Sequence, residues 1–184
     1  IVAVLANIIF AGLVFLSLKA VKLPTDGSLG TAITMAATGI TFAAIAAVSA
    51  QLADSGRGAN SYSAIAIGVA FLLRAVGDGM GSLSPSGLSV ISAFPSWLSP
   101  FAWGQLVFPF TEKNWWVLGL YVGLFGVALG TAGAFMTKRD IGMGMIATRL
   151  GRATALRNLL SPFGLARRLQ RGTLRGWAIA IVVL

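Results

Sequence analysis

The chain has 184 residues, of which 57% are hydrophobic and 10% charged, with a net charge of +9 and neither His nor Cys. Soluble domains are about 45–50% apolar and about 25% charged, so a soluble enzyme, a disordered tail and a disulfide-stapled secreted domain are all excluded. Without His and Cys there is no Ser-His-Asp or Cys-His nucleophile, no imidazole or thiolate metal site and no CxxC redox pair.

What remains is an all-α polytopic transmembrane helical bundle. The first apolar run is 1–18, with Asn7 its one strongly polar residue, and it stops at Lys19 and Lys22. Asn7 is expected to hydrogen-bond between helices. Pro24-Thr25-Asp26-Gly27 reads as a turn. The second run, 30–52, carries Gly39, Ala43, Ala46 and Ala50 as a small-residue stripe. The polar stretch 54–60 follows, and then the third run, 61–77, which holds Arg74 near its end and is closed by Asp78. Residues 79–114 contain Pro85, Pro95, Pro100 and Pro109, with Trp97, Trp103, Glu112 and Lys113. Proline breaks this greasy outer loop into pieces, and Trp favours the membrane interface. Short helices that lie on the outer leaflet or dip into it are expected.

The fourth run is 115–136, opened by Trp115-Trp116. Gly119, Gly123, Gly126, Gly130 and Gly133 repeat at heptad spacing, which predicts a seam where another helix approaches closely. Residues 137–175 hold nine of the fourteen basic residues: Lys138, Arg139, Arg149, Arg152, Arg157, Arg167, Arg168, Arg171 and Arg175. Asp140 is their one acidic neighbour. The stretch 161–175 is amphipathic. Phe163, Leu165 and Leu169 suit lipid, while Arg167, Arg168, Arg171 and Arg175 suit headgroups. The run 176–184 is shorter than the roughly 20 residues of a span, so the chain reads as a piece of a longer protein.

Positive charge marks the cytoplasmic side, which puts 138–175 inside and 79–114 outside. Lys19 and Lys22 then fall outside, two charges against nine. The basic balance is topological and argues against nucleic-acid binding. Attraction to anionic lipid is its expected use.

An ionisable residue inside a span is costly and points to function. Arg74 and Asp78 are four apart, share a helix face and can pair, as an outer gate or as a structural ion pair. The five carboxylates Asp26, Asp54, Asp78, Glu112 and Asp140 sit in different connections or helix ends. No HExxH, GxSxG or GxxxxGK occurs, so no catalytic, cofactor-binding or metal residue is assigned. An ion-coupled carrier would need acids in mid-span, and none is there. Half of such a carrier, or a non-transport scaffold, is the alternative reading.

The strings FLLRAVGD (71–78), WLSPFAWGQ (97–105) and RRLQRG (167–172), in this order, carry a resemblance. The chain resembles the actinobacterial ABC exporter permeases of the polyketide-antibiotic or tetronasin type, over nearly its whole length. The resemblance implies a permease of two six-helix halves. Residues 1–136 would be the last four helices of the first half, 137–175 the cytoplasmic linker with an amphipathic elbow helix at 161–175, and 176–184 the start of the second half. It implies a multi-pass protein of the plasma membrane that exports hydrophobic compounds. The partners implied are a dimeric ABC ATPase, which binds the ATP and Mg, together with membrane lipids and a hydrophobic small-molecule substrate. The first two helices and the coupling helix that would contact the ATPase are missing, so no docking residue is assigned.

Overall fold

The four apolar runs fold as four long helices, each apolar enough to cross a membrane. The computed structural model describes residues 1–83, 90–111, 114–138, 144–146, 154 and 161–183. Pro85, Glu112, Lys113, Arg139, Asp140, Arg149, Arg152 and Arg157 lie outside the described residues. The chain divides into two units, Ile1–Ala147 and Thr148–Leu184.

In the first unit α1 is Val2–Ala20, α2 Thr25–Leu52, α3 Gly56–Gly79 and α6 Leu118–Lys138. α2 and α3 begin about five residues earlier than hydropathy suggests. The turn read at 24–27 is the first turn of α2, where Ser28 Oγ donates to Pro24 O at 2.8 Å. Much of the polar stretch at 54–60 is the first turn of α3, capped by Ser55, whose Oγ accepts from Gly58 N–H at 3.2 Å. Polar residues satisfy the orphan donors of a helix start, so hydropathy alone places these ends too late.

The central helix is α2, which packs against α1, α3, α6 and a short helix of the outer loop. Its buried positions are Gly27, Ser28, Gly30, Ala32, Thr34, Thr41, Ala44 and Ser49. Small and hydroxyl residues let membrane helices come close without an apolar-versus-water driving force. Asn7 of α1 lies in the space left by Gly39 of α2. Its amide does not bridge the two helices as expected. Asn7 Nδ2 donates to Ala3 O of its own helix at 2.8 Å, a local bond that competes with any partner across the interface.

Between α3 and α6 the described residues hold two strands as well as short helices. β1 (Ser82–Leu83) and β2 (Val90–Ile91) pair antiparallel, with Ser82 opposite Ile91. α4 is Phe94–Trp97 and α5 is Pro100–Leu106, each with proline in its first turn. The two descend along α3 and return along α2. Ser99 Oγ donates to Ala70 O at 2.6 Å, about 13 Å of helix below Gly79 at 1.5 Å per residue. Phe101 then meets Phe42 of α2 with ring centroids 4.6 Å apart. Pro109 returns to Gly30, and Phe110 to Gly27, at the N-terminal end of α2. A 3-10 turn at Trp115–Val117 leads into α6.

The core therefore lies where α5 meets α2 and α6, with Trp103, Leu106, Val107, Val117 and Tyr121 packed together. Trp103 meets Tyr121 edge-on at 5.1 Å, and Trp103 Nε1 donates to Trp97 O at 2.6 Å. Tyr121 OH donates to Pro100 O at 2.8 Å and lies 2.8 Å from Thr38 Oγ1. At the C-terminal end of α2, Met145 N–H donates to Gln51 O and Ile146 N–H to Leu52 O, both at 3.0 Å. These bonds fill carbonyls that the end of α2 leaves open.

The second unit contains α7, Pro162–Val183. Ser161 Oγ accepts from Gly164 N–H at 3.1 Å and caps it. The stretch read as an elbow and the start of the run after it form one helix, with no break at 175. Neither Gly172 nor Gly176 interrupts it.

Candidate functional site

Arg74 and Asp78 project from the last two turns of α3 and meet as their spacing predicts. Arg74 Nε lies 3.4 Å from Asp78 Oδ2, and each side chain is about a third exposed. The pair does not stand alone. Ser92 Oγ donates to Asp78 Oδ1 at 2.6 Å, and Ser96 Oγ reaches the same oxygen at 3.1 Å. Ser96 Oγ is also 3.3 Å from Arg74 O, so its one proton is shared. Ala93 N–H donates to Gly77 O at 2.8 Å. Together these contacts make a clasp that ties the descending limb of the outer loop to the end of α3.

Gly77 is what lets that limb come so close. A β-carbon there would run into the backbone and side chain of Ser96. Ser92, Ser96 and Ser99 follow each other at spacings of four and three, and all three bond to α3. Sequence reasoning missed them. Their helical spacing was visible, but serine is common in loops and carries no charge to mark it.

Among the described residues of the first unit, the glycine seam is not where α6 packs. A β-carbon at Gly119, Gly123, Gly126, Gly130 or Gly133 would meet nothing within 4 Å. The buried residues of α6 are Tyr121, Ala128 and Ala132. At 100° per residue they lie opposite the seam. The helix turns Tyr121 and two alanines to the packed side, where the Tyr121 hydroxyl meets Thr38 and Pro100, which leaves the glycines exposed.

On α7, Arg167, Arg168, Arg171 and Arg175 share a sector about 100° wide, by the same rotation per residue. Phe163, Leu165, Leu169, Leu174 and Trp177 occupy the remaining sector and are exposed. Among the described residues, no three acidic side chains converge to hold a metal.

These helices, with a clasped loop folded among them, invite comparison with known proteins. No family model matches the chain. It is 39% identical over 167 residues to the multidrug efflux system permease protein Rv1217c of Mycobacterium tuberculosis. The similar protein is a permease. The match takes in 90% of this chain but 28% of the relative, so the chain spans under a third of that protein's length. The α1–α3 bundle, the clasp and α6 thus belong to a multi-pass membrane protein similar to part of an efflux permease.

Proposed function

We propose that this chain is part of the membrane-spanning permease of an ATP-driven exporter of hydrophobic compounds, in the plasma membrane. The observation that carries the reading is the 39% identity to a multidrug efflux permease across 90% of the chain. The quoted strings at 71–78, 97–105 and 167–172 support the narrower placing among polyketide-antibiotic exporters of the ABC class. The chain itself would be no enzyme. ATP and Mg would bind a separate, dimeric ATPase, whose closure shifts the permease between inward-open and outward-open states. Substrate would meet mostly apolar and aromatic walls, which permit broad specificity.

In this reading the Arg74–Asp78 clasp is an outer latch. It holds the α4–α5 limb against α3, and opening the outer side requires that limb to shift. The Arg167, Arg168, Arg171 and Arg175 face of α7 would contact anionic headgroups on the inner leaflet. The open seam at Gly119, Gly123, Gly126, Gly130 and Gly133 would receive a helix from the rest of the permease.

The test uses the full-length protein. It should retain an ATPase subunit on purification in mild detergent. Membrane vesicles containing both should move a lipophilic dye only with ATP. Loss of the ATPase under every detergent, or dye movement driven by an ion gradient without ATP, would overturn the reading.

A further inference from the structure

Beside the clasp is a cavity of about 480 Å³, within the roughly 300–1,000 Å³ range of small-molecule sites. Its walls include Leu83, Leu106, Phe108 and Phe110, with Asp78, Ser92, Gln105 and Thr111 as polar members. The apolar walls come from three places: the β1–β2 pair, the end of α5, and the turn that follows α5.

That turn is unusual. Phe108 has φ 46°, a left-handed conformation that a bulky side chain rarely adopts and that concentrates at ligand clamps and other functional sites. The surrounding bonds hold it there. Phe108 N–H donates to Gln105 O at 2.9 Å, Thr111 N–H to Phe108 O at 3.0 Å and Asn114 N–H to Val107 O at 2.8 Å. The result is a sharp reversal that lines Phe108, Pro109 and Phe110 along the cavity.

The polar side is only partly used. A carboxylate accepts about four hydrogen bonds. Asp78 receives them from Ser92, Ser96 and Arg74, so it has room for one more. The Gln105 carboxamide, exposed at the cavity, makes no hydrogen bond to the described residues. Arg74 balances the charge of Asp78, so the site does not select for strong charge.

We infer that this cavity binds a fused-ring apolar molecule carrying one hydrogen-bond donor, a hydroxyl or an amine, with its rings against Phe108 and Phe110 and the donor directed to Gln105 and Asp78. The inference rests on the exporter reading only in making this an outer-side station for exported compounds. Binding itself needs neither ATP nor a partner.

The experiment places the full-length protein in nanodiscs and titrates it with 1-aminoanthracene, followed by fluorescence, with empty nanodiscs as the baseline. Its companion is 1-methylanthracene, of similar size but without a donor. Saturable binding of the amine is expected, about tenfold tighter than of the methyl compound. Gln105→Leu should weaken the amine about fivefold, the scale of one lost hydrogen bond, and leave the methyl compound unchanged. Leu83→Trp, on the exposed β1–β2 pair, should fill the space and weaken both. Equal affinities in all three proteins, or binding no greater than to empty nanodiscs, would overturn the inference. ATP-driven export with no such binding would leave the exporter reading standing and remove this one. Binding in a protein that never exports would do the reverse.

Discussion

Asp78 does more than answer Arg74. It joins three parts of the chain through one carboxylate: Arg74 in its own helix, Ser92 beyond β2, and Ser96 in α4. The ion pair is the weaker contribution, because partly exposed pairs are worth about 0–1 kcal/mol. The hydroxyl bonds count for about 1 kcal/mol each. Asp78→Asn, which keeps an acceptor for both serines, should therefore cost about 1 kcal/mol or less. Asp78→Ala should cost about 2–3 kcal/mol, read as thermal unfolding of the purified full-length protein. Exchanging the two residues (Arg74→Asp with Asp78→Arg) restores a charge pair but leaves Ser92 and Ser96 facing a donor. Stability should stay below that of the parent protein, and full recovery would show that the pair acts alone. Gly77→Ala should cost about 1–3 kcal/mol, because the β-carbon meets the Ser96 backbone, and should loosen the α4 limb to proteolysis.

Among the elements, α6 presents two unlike faces. Tyr121→Phe removes a hydroxyl bonded at 2.8 Å on the packed face and should destabilise by about 1–3 kcal/mol. Gly123→Ala and Gly130→Ala on the open face should leave this chain's own packing intact and instead weaken assembly of the whole permease, seen as lower yield of folded full-length protein. The heptad repeat made the seam legible as a pattern, but a pattern of small residues does not name its partner. The spans were legible because an apolar run of twenty or so residues has few other uses. Their ends were not, since Ser55 and Pro24 look like loop residues and act as the first positions of helices. The pairing of Arg74 with Asp78 was legible from a spacing of four. The serines that complete it lie 14 and 18 residues from Asp78, a separation that no local periodicity reports. The two-residue strands β1 and β2 are too short to show alternation at all.

For the whole molecule, the charge distribution assigns sides of the membrane that the fold must respect. The clasp, the strands and the cavity cluster at the end of α3 that the charges put outside, and 144–146 meets the opposite end of α2. This chain has no Cys, so in full-length protein with any other cysteines replaced, single cysteines placed here report sides directly. Thr111→Cys should react with a membrane-impermeant maleimide added from outside, and Arg168→Cys only after the membrane is opened. Labelling of Arg168→Cys from outside would reverse the orientation.

One consequence follows from the length of α2. Its 28 residues make a beam about 42 Å long. One tip is joined by two backbone bonds to Met145 and Ile146, and the other bears on Phe110 through Gly27. A tilt of about 5° around the inner tip would swing the outer tip by nearly 4 Å, on that same length. That travel exceeds the reach of a hydrogen bond. A small tilt of this one helix would therefore displace the aromatic ring of Phe110 that lines the cavity.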